Sequence, residues 1–203
     1  GYKTILFLPT FKDKEIKNQI LDYDTDRLFG FDEFSLKNFD KFLEKNNCKL
    51  IFKPHPHNEE ETLNHLNNYQ LNNLLVLRDN DLSKNKLDLY ELLNASELLI
   101  TDYSSVFYDF LLLNRHIIFT PTGIDLYKEK RGFVVESYER WTPGPKVLTQ
   151  ADLENEIIKS LSNKDYYDEE RKWMLELNHR YKDGNSSKRL WDFIETIMPH
   201  ERF

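Results

Sequence analysis

The sequence contains a single cysteine, Cys48, and this scarcity excludes an internal disulfide and favours a reducing compartment. No apolar run approaches the roughly 20 residues that a membrane-spanning helix requires. No signal peptide is apparent at the start of the sequence either. We therefore expect a cytoplasmic protein. Internal repeats and low-complexity linkers are also lacking, which favours ordinary globular architecture.

A net positive charge is lacking as well, since the formal net charge is −7. Proteins that bind nucleic acid generally present a basic face, so no nucleic-acid partner is expected. The charges are unevenly distributed, however, because acidic residues concentrate in segments with helical patterns. A locally basic cleft would suit a small phosphorylated ligand. The basic residues in or beside the predicted loops are Lys12, Lys53, His55, His57, Lys128, Lys130 and Arg131.

The composition is that of a folded domain, with 39% hydrophobic and 14% aromatic residues. A length of 203 residues allows one domain, or at most two small ones, with a sizeable core. The sequence starts without Met and enters a strand-like run at once. We therefore expect a fragment that begins at a domain boundary.

Apolar strand-like runs alternate with helical patterns, which predicts a doubly wound α/β domain. Several runs are continuously apolar, as expected where helices cover both faces of a parallel sheet. After residue 148 only helices are predicted, so 1–148 forms the sheet core and 149–203 a helical tail. We expect the last helix, which carries Lys188, Arg189 and Trp191, to pack on the domain. Strands are predicted at 3–9, 49–53, 74–77, 97–101 and 116–120, and helices at 35–46, 59–68, 88–95, 104–113, from Thr149, at 165–180 and after Gly184.

Residues 98–113 are the most informative segment, because a buried strand, a sharp turn and a helix are predicted in succession. Ser104 and Ser105 fall in the first turn of that helix. Helix N-termini present unpaired N–H groups and favour phosphate, and ligands of open α/β sheets bind beyond the carboxyl ends of strands. The alternative is that Ser104 only caps the helix.

Four further segments each fall after a predicted strand. In Lys53-Pro54-His55-Pro56-His57, prolines on both sides of His55 stiffen the loop. A preorganised imidazole suits general-base chemistry or a hydrogen bond to phosphate, although His55 could also be an ordinary loop residue. Arg131 beside Gly132 lets a guanidinium and a bare backbone approach one anion. The other two segments are Pro9-Thr10-Phe11-Lys12 and the rigid turn Trp141-Thr142-Pro143-Gly144-Pro145.

Taken together, these segments resemble the CDP-glycerol glycerophosphotransferases, the family of teichoic acid polymerases and primases and of relatives that build phosphate-linked capsules. The resemblance covers roughly residues 4–197. It implies a GT-B architecture, of which this chain is the carboxyl-terminal, Rossmann-like, nucleotide-binding half, with an amino-terminal half missing. The motifs that carry it occur in order as Pro-Thr-Phe-Lys, Lys-Pro-His-Pro, Leu-Tyr-Glu-Leu-Leu-Asn-Ala-Ser, Leu-Ile-Thr-Asp-Tyr-Ser-Ser-Val-Phe-Tyr-Asp-Phe, Tyr-Lys-Glu-Lys-Arg-Gly-Phe and Pro-Gly-Pro.

The resemblance implies alditol-phosphate transfer from CDP-glycerol or CDP-ribitol to a hydroxyl of a phosphate-linked polymer or lipid-linked acceptor, with release of CMP. The full-length protein would then work at the inner face of the cell membrane. Ser104 and Ser105 would hold the diphosphate, Arg131 would clamp it, and Gly132 would offer its N–H. Lys53 is assigned to the same diphosphate site. Two other functions stay open: a GT-B nucleotide-sugar glycosyltransferase and a non-catalytic nucleotide-binding module.

His55 would lie at the reacting phosphoryl group, either as a base toward the acceptor hydroxyl or as a hydrogen-bond donor to phosphate. Thr10, Lys12 and Tyr103 are candidate cleft contacts. Asp102 could orient the turn or a ligand hydroxyl, or serve as a cap. Asp81 and Asp88 are expected near the cytidine and ribose. No His, Cys or carboxylate cluster has a spacing typical of a metal site. Side chains are therefore the expected cations, and an assisting Mg²⁺ is left open.

Overall fold

The apolar runs of the sequence form a five-stranded, fully parallel sheet in the computed structural model, which describes residues 1–10, 28–133 and 137–198. The strand order is β3-β2-β1-β4-β5, so the first strand lies in the centre. Ile5 pairs with Leu50 on one side of β1 and with Leu98 on the other. The strands are β1 Lys3–Leu8, β2 Cys48–Phe52, β3 Leu74–Val76, β4 Leu98–Thr101 and β5 His116–Phe119.

Ten α-helices are described along the same residues, and they connect the strands and then follow them. A 3₁₀ turn, Leu111–Leu113, directly extends the fifth helix. The helices are α1 Leu36–Lys45, α2 Glu59–Leu66, α3 Asp79–Lys84, α4 Leu89–Asn94, α5 Val106–Phe110, α6 Ile124–Lys130, α7 Tyr138–Trp141, α8 Gln150–Ser162, α9 Asp168–Asn178 and α10 Ser186–Ile197.

Helices cover both faces of the sheet. Successive side chains of a strand point to opposite faces, so those of β1 enter two separate cores. Ile5 and Phe7 belong to one core, together with residues of α1 and α8 such as Phe39 and Ile157. The other core begins at Leu6. Each buried side chain of this size contributes roughly 1.5–3 kcal/mol relative to an exposed one. The second core adds Leu8 and side chains of α4, α5 and α9, including Leu93, Phe110 and Met174.

The Pro-Gly-Pro turn packs directly against β5. Pro145 accepts a hydrogen bond from the N–H of Phe119, and Lys146 forms an isolated parallel bridge with the same residue. A Cβ atom on Gly144 would lie 2.0 Å from the carbonyl oxygen of Ile117. The glycine therefore allows close backbone approach, as predicted, and the atom that it approaches belongs to the sheet.

The predicted fold class and all five predicted strands are confirmed, with boundaries that differ by no more than one residue. The helical pattern at 104–113 is divided into α5 and the 3₁₀ turn. α3 lies at Asp79–Lys84, where no helix was predicted. The division into 1–148 and 149–203 stays a prediction, and α8 from the second part contributes Leu153 and Ile157 to the first core.

The prediction that the last helix packs on the domain is wrong. No residue of α10 is buried, and its apolar side chains Leu190, Trp191 and Phe193 are each about 60% exposed. The helix has a clear apolar stripe, but an amphipathic pattern does not specify which surface covers it. Among the described residues, no helix is both long and apolar enough to span a bilayer.

Candidate functional site

A cavity of about 590 Å³ lies at the carboxyl ends of β1, β2 and β4. Its wall brings together four residues predicted from separate parts of the sequence, namely Lys53, His55, Asp88 and Ser104. This edge of a parallel sheet is where ligands of α/β proteins bind. The remaining lining residues are Leu8, Pro9, Pro54, Pro56, Asp79, Leu82, Ser83, Leu87, Leu89 and Val106.

His55 precedes a 3₁₀ turn that starts at Pro56, and the turn fixes its imidazole. The Nδ1 atom accepts a hydrogen bond of 3.3 Å from the N–H of His57. In neutral imidazole an accepting Nδ1 places the proton on Nε2, which then donates. Burial lowers the pKa of His55, and the positive charges of His57 and Lys53 lower it further. At neutral pH the structure therefore favours a neutral ring with Nε2–H.

Lys53 has partners that the sequence did not indicate. Its side chain is only 8% exposed, and Nζ lies 2.7 Å from Asp79 Oδ1 and 3.2 Å from Glu59 Oε1. The same Glu59 oxygen accepts the N–H of Asp79 at 2.8 Å. Two carboxylates around one ammonium carry a net negative charge, so Lys53 mainly joins the His55 loop to the start of α3. A direct contact of Lys53 with diphosphate stays a prediction.

Ser104 and Ser105 lie at the turn between β4 and α5. Ser104 Oγ accepts the N–H of Val106 at 3.4 Å, a long hydrogen bond, and Ser104 lines the cavity. Ser105 is the N-cap residue but makes no side-chain capping bond, and it is exposed. Because α5 has only five residues, its dipole is weaker than that of the helix predicted at 104–113. The two hydroxyls are the main polar groups that this turn presents.

Asp102 joins two of the loops at this edge of the sheet. It is 2% exposed, and its Oδ1 accepts the N–H of Thr10 at 2.7 Å and that of Tyr103 at 2.6 Å. Asp102, Thr10 and His55 also line a small adjoining cavity of about 20 Å³. Asp102 thus orients the turn, one of the roles considered for it. Lys12, predicted in the same loop as Thr10, lies outside the described residues.

Tyr103 connects the β4 turn to α6 through an aromatic cluster. Its ring stacks on that of Tyr127, with centroids 4.2 Å apart, and its hydroxyl donates to the carbonyl of Thr122 at 2.6 Å. The hydroxyl of Tyr138 donates to the carbonyl of Asp102 at 2.7 Å. Burial raises the pKa of Tyr103 and of Tyr138, so both hydroxyls stay protonated. Phe133, which follows the carboxyl end of α6, belongs to the same cluster, with its ring centroid 5.8 Å from that of Tyr103.

Arg131 is exposed at the end of α6, one helical turn after Tyr127. The next residue, Gly132, has a φ of +71° and ends the helix in the left-handed region. Its N–H donates to the carbonyl of Lys128 at 3.0 Å. The N–H that was predicted to face phosphate is therefore already held by the helix, and the glycine serves to turn the chain.

The two carboxylates predicted near the cytidine have different surroundings. Asp81 forms a two-point ion pair with Arg78, and hydrogen bonds from Arg78 lower the pKa of Asp81 to about 2. Asp88 instead lines the cavity, where it caps α4 by accepting the N–H of Glu91 at 2.9 Å. Only Asp88 of this pair is among the residues that line the cavity.

Sequence reasoning missed the contribution of residues 79–89 to the cavity wall. Asp79, Leu82, Ser83 and Leu87 all line it, in addition to the predicted Asp88. The available signal was the pairing of Asp88 with Glu91, a capping box that starts α4. Within the described ranges, no group of three or more His, Cys, Asp or Glu side chains is arranged to hold a metal ion. An assisting Mg²⁺ stays a prediction.

The family is decided by comparison with known sequences. The model of the family described as CDP-glycerol:poly(glycerophosphate) glycerophosphotransferase matches residues 1–196. The chain belongs to this family. The teichoic acid glycerol-phosphate primase of Bacillus subtilis (strain 168) is 30% identical over 198 residues, which cover 97% of this chain and 44% of the primase. The teichoic acid ribitol-phosphate polymerase TarL of Staphylococcus aureus is 30% identical over 190 residues, 94% of this chain and 30% of TarL.

Solved structures agree with this glycerophosphotransferase assignment. The wall teichoic acid polymerase TagF superposes with a TM-score of 0.67 at 25% identity, over 97% of this chain and 44% of that one. A putative UDP-N-acetylglucosamine 2-epimerase from Listeria monocytogenes, with a TM-score of 0.50 at 15% identity, shares the fold alone. The chain thus spans less than half the length of the relatives that it matches.

Proposed function

We propose that this chain forms the CDP-alditol-binding part of an enzyme that transfers glycerol phosphate, or another alditol phosphate, to a growing teichoic-acid-like polymer. An acceptor hydroxyl attacks the distal phosphorus of the CDP-alditol, the bond between that phosphorus and the CMP oxygen breaks, and CMP leaves while the hydroxyl loses its proton. The observation that carries the proposal is the convergence of His55 and Ser104 on one cavity at the strand ends, in a chain that the family model matches over residues 1–196.

In this proposal His55 donates its Nε2–H to an oxygen of the reacting phosphoryl group. The hydrogen bond that Nδ1 accepts from His57 supports donation from Nε2, and the lowered pKa of His55 supports a neutral ring. A positioned donor stabilises the charge that develops in the transition state without having to reorganise. Another base must then take the proton of the acceptor hydroxyl, and the rest of the enzyme would supply it.

Ser104 and Ser105 hold the diphosphate in the proposal, and Arg131 neutralises part of its charge. The stacking of Tyr103 on Tyr127 supports this arrangement, because Tyr103 directly precedes Ser104 and Tyr127 lies one helical turn before Arg131. A guanidinium can bind two phosphate oxygens at once, which gives both energy and orientation.

The acceptor side belongs to the rest of the proposed enzyme. We infer that an amino-terminal half of a GT-B architecture faces this cavity and binds the phosphate-linked polymer or lipid-linked acceptor. The lengths of the matched relatives support additional protein, since the primase is more than twice as long as the matched region. CDP-glycerol and CDP-ribitol are both included as substrates, because the relatives comprise a glycerol-phosphate primase and a ribitol-phosphate polymerase. Peripheral attachment to the inner face of the membrane stays a prediction.

Calorimetric titration of the 203-residue chain with CDP-glycerol, CDP-ribitol, CMP and a UDP-sugar tests the proposal. We expect a CDP-alditol to bind, and Ser104→Ala/Ser105→Ala to weaken this binding by more than tenfold, because two hydrogen bonds to a charged group are lost. Ser186→Ala/Ser187→Ala is the matched control, since it removes two adjacent serines at the start of α10, outside the cavity lining. If neither this chain nor the full-length protein binds any cytidine nucleotide, the proposal is contradicted. Preferential binding of the UDP-sugar would indicate a glycosyltransferase.

Arg131→Ala should weaken binding of CDP-alditol and of CDP by roughly 10- to 100-fold, while binding of cytidine changes little. The reason is that the lost charge-assisted hydrogen bonds involve phosphate only. Titration with the three ligands measures the difference, and Lys130→Ala removes a neighbouring charge of the same sign as a control. Equal losses for all three ligands would place Arg131 away from the phosphates.

A further inference from the structure

Residues 79–89 give the cavity lining apolar side chains and two carboxylates. Leu82, Leu87 and Leu89 provide apolar surface, and Asp79 and Asp88 lie in the same wall. A volume of about 590 Å³ is within the range of small-molecule sites. Ser104 is the proposed phosphate contact within this lining, so the part contributed by residues 79–89 is left for the base of a bound nucleotide.

The two carboxylates differ in how much of their charge is already balanced. Asp79 lies 2.7 Å from the ammonium of Lys53, which it shares with Glu59, so its charge is partly compensated. Asp88 forms no ion pair within the part of the chain that the structure describes. Asp88 is therefore the carboxylate that can act on a ligand at full charge.

The capping interaction also fixes the direction of the Asp88 carboxylate. Oδ1 accepts the N–H of Glu91 at 2.9 Å, and Glu91 Oε2 accepts the N–H of Asp88 at 2.8 Å. This reciprocal capping box holds the side chain in one orientation. Oδ2 takes no part in the capping box, and Asp88 lines the cavity, so this second oxygen is left for a hydrogen bond to a ligand.

Cytosine and uracil differ at the edge that a carboxylate can distinguish. Cytosine carries an amino group, a donor, where uracil carries a carbonyl oxygen, an acceptor. A carboxylate can accept a hydrogen bond from the first and repels the second. A site that holds a hydrogen-bonding group of this kind rejects the analogue that leaves it unpaired.

We propose that Asp88 Oδ2 accepts a hydrogen bond from the exocyclic amino group of cytosine and thereby makes the site prefer cytidine over uridine nucleotides. The inference rests on the proposed function and assigns to it the residue that selects the base. Leu82, Leu87 and Leu89 supply the apolar surroundings of the ring. Because the contact is charge-assisted, we expect a preference of about 10- to 100-fold for CMP over UMP.

Asp88→Asn tests the assignment with little change to the fold. Asparagine is a good N-cap, so its carbonyl oxygen can keep the bond to Glu91 while the amide NH₂ replaces Oδ2. A donor then faces the base in place of an acceptor. Titration with CMP and UMP should show weaker CMP binding, stronger UMP binding and a ratio shifted by at least tenfold toward UMP.

Two further variants complete the experiment. Asp88→Ser keeps a capping oxygen but has no second polar group, so the preference for CMP should disappear without inverting. Asp152→Asn removes an exposed carboxylate at the start of α8, outside the cavity lining, and should leave both affinities unchanged. Thermal unfolding of each variant checks that the capping of α4 is retained.

The outcomes separate this inference from the proposed function. If wild type binds CMP and Asp88→Asn loses affinity for CMP and UMP equally, Asp88 contacts the ribose and the inference is overturned. If Asp88→Asn leaves both affinities unchanged, the inference is overturned as well, and the proposed function stays intact. Absence of binding to any cytidine nucleotide in the wild-type chain and in the full-length protein would overturn both.

Discussion

His55→Ala should reduce alditol-phosphate transfer by the full-length protein by about 10²- to 10³-fold, the usual effect of removing one positioned donor from a transition state. His55 lies on a loop and is only partly buried, so the free energy of unfolding should change little. Polymer formation from a labelled CDP-alditol measures the first effect, and thermal unfolding measures the second. His65→Ala is the control, since it removes a histidine of α2 that does not line the cavity.

A second variant separates the two roles considered for His55. Glutamine places an amide N–H near the position of Nε2, but it cannot accept a proton as a base. If His55 donates to phosphate, as we propose, His55→Gln should keep about a tenth of the wild-type rate, whereas a base role predicts a loss as large as that of His55→Ala. Near-normal transfer by His55→Ala itself would remove His55 from the reaction.

The dependence of the rate on pH gives an independent check on His55. Its pKa is lowered by burial, so protonation occurs only below the ordinary histidine value of 6.5. A base would lose activity as the pH falls through this lowered pKa. A donor keeps its Nε2–H in both protonation states, so this residue should cause no acid limb in kcat/KM. An acid limb present in wild type and absent from His55→Gln would support the base instead.

Gly144→Ala should destabilise the chain by about 3 kcal/mol or more, the largest loss of stability that we expect from adding one methyl group. The new Cβ would lie 2.0 Å from the carbonyl oxygen of Ile117 and 3.3 Å from the ring of Phe119. Prolines on both sides restrict the backbone from moving away. For a chain of this length the expected fall in Tm is roughly 6–12 °C.

Gly184→Ala is the matched control for Gly144→Ala. Gly184 has a φ of +71°, and no neighbouring atom lies within 4 Å of the place that a methyl group would take, so only backbone strain opposes the change. We expect a cost of about 1 kcal/mol there. Calorimetric or denaturant-induced unfolding of both variants compares the two. Similar small losses would mean that the 143–145 turn can move away from β5.

The strands were predictable because burial on both faces leaves a simple signal. β4 is buried at all four positions and therefore appears in the sequence as an uninterrupted apolar run. The amphipathic α1 and α8 were predictable for a related reason, since one stripe of each contacts the sheet. Short helices such as α6 and α7 have no buried residue and lack that periodic signal.

The residues that meet at the cavity were easier to predict from the sequence than the contacts that their side chains make. His55 and Ser104 follow strands that end at the same edge of the sheet, so their convergence is a consequence of parallel topology. The partners of Lys53 were not predictable, because Glu59 and Asp79 approach it only when the helices that carry them pack. Gly132 illustrates a second limit, since a glycine beside an arginine suits an anion site and a helix end equally well.

The central position of β1 has a consequence for how the chain folds. Ile5 must pair with Leu98, so the middle of the sheet cannot be completed until more than 90 further residues have been synthesised. At about 5–20 residues per second, this delay is on the order of ten seconds. During that time the apolar strand has a neighbour on one side at most, which exposes it to aggregation. Chaperone binding to the nascent chain is therefore most useful between the emergence of β2 and that of β4.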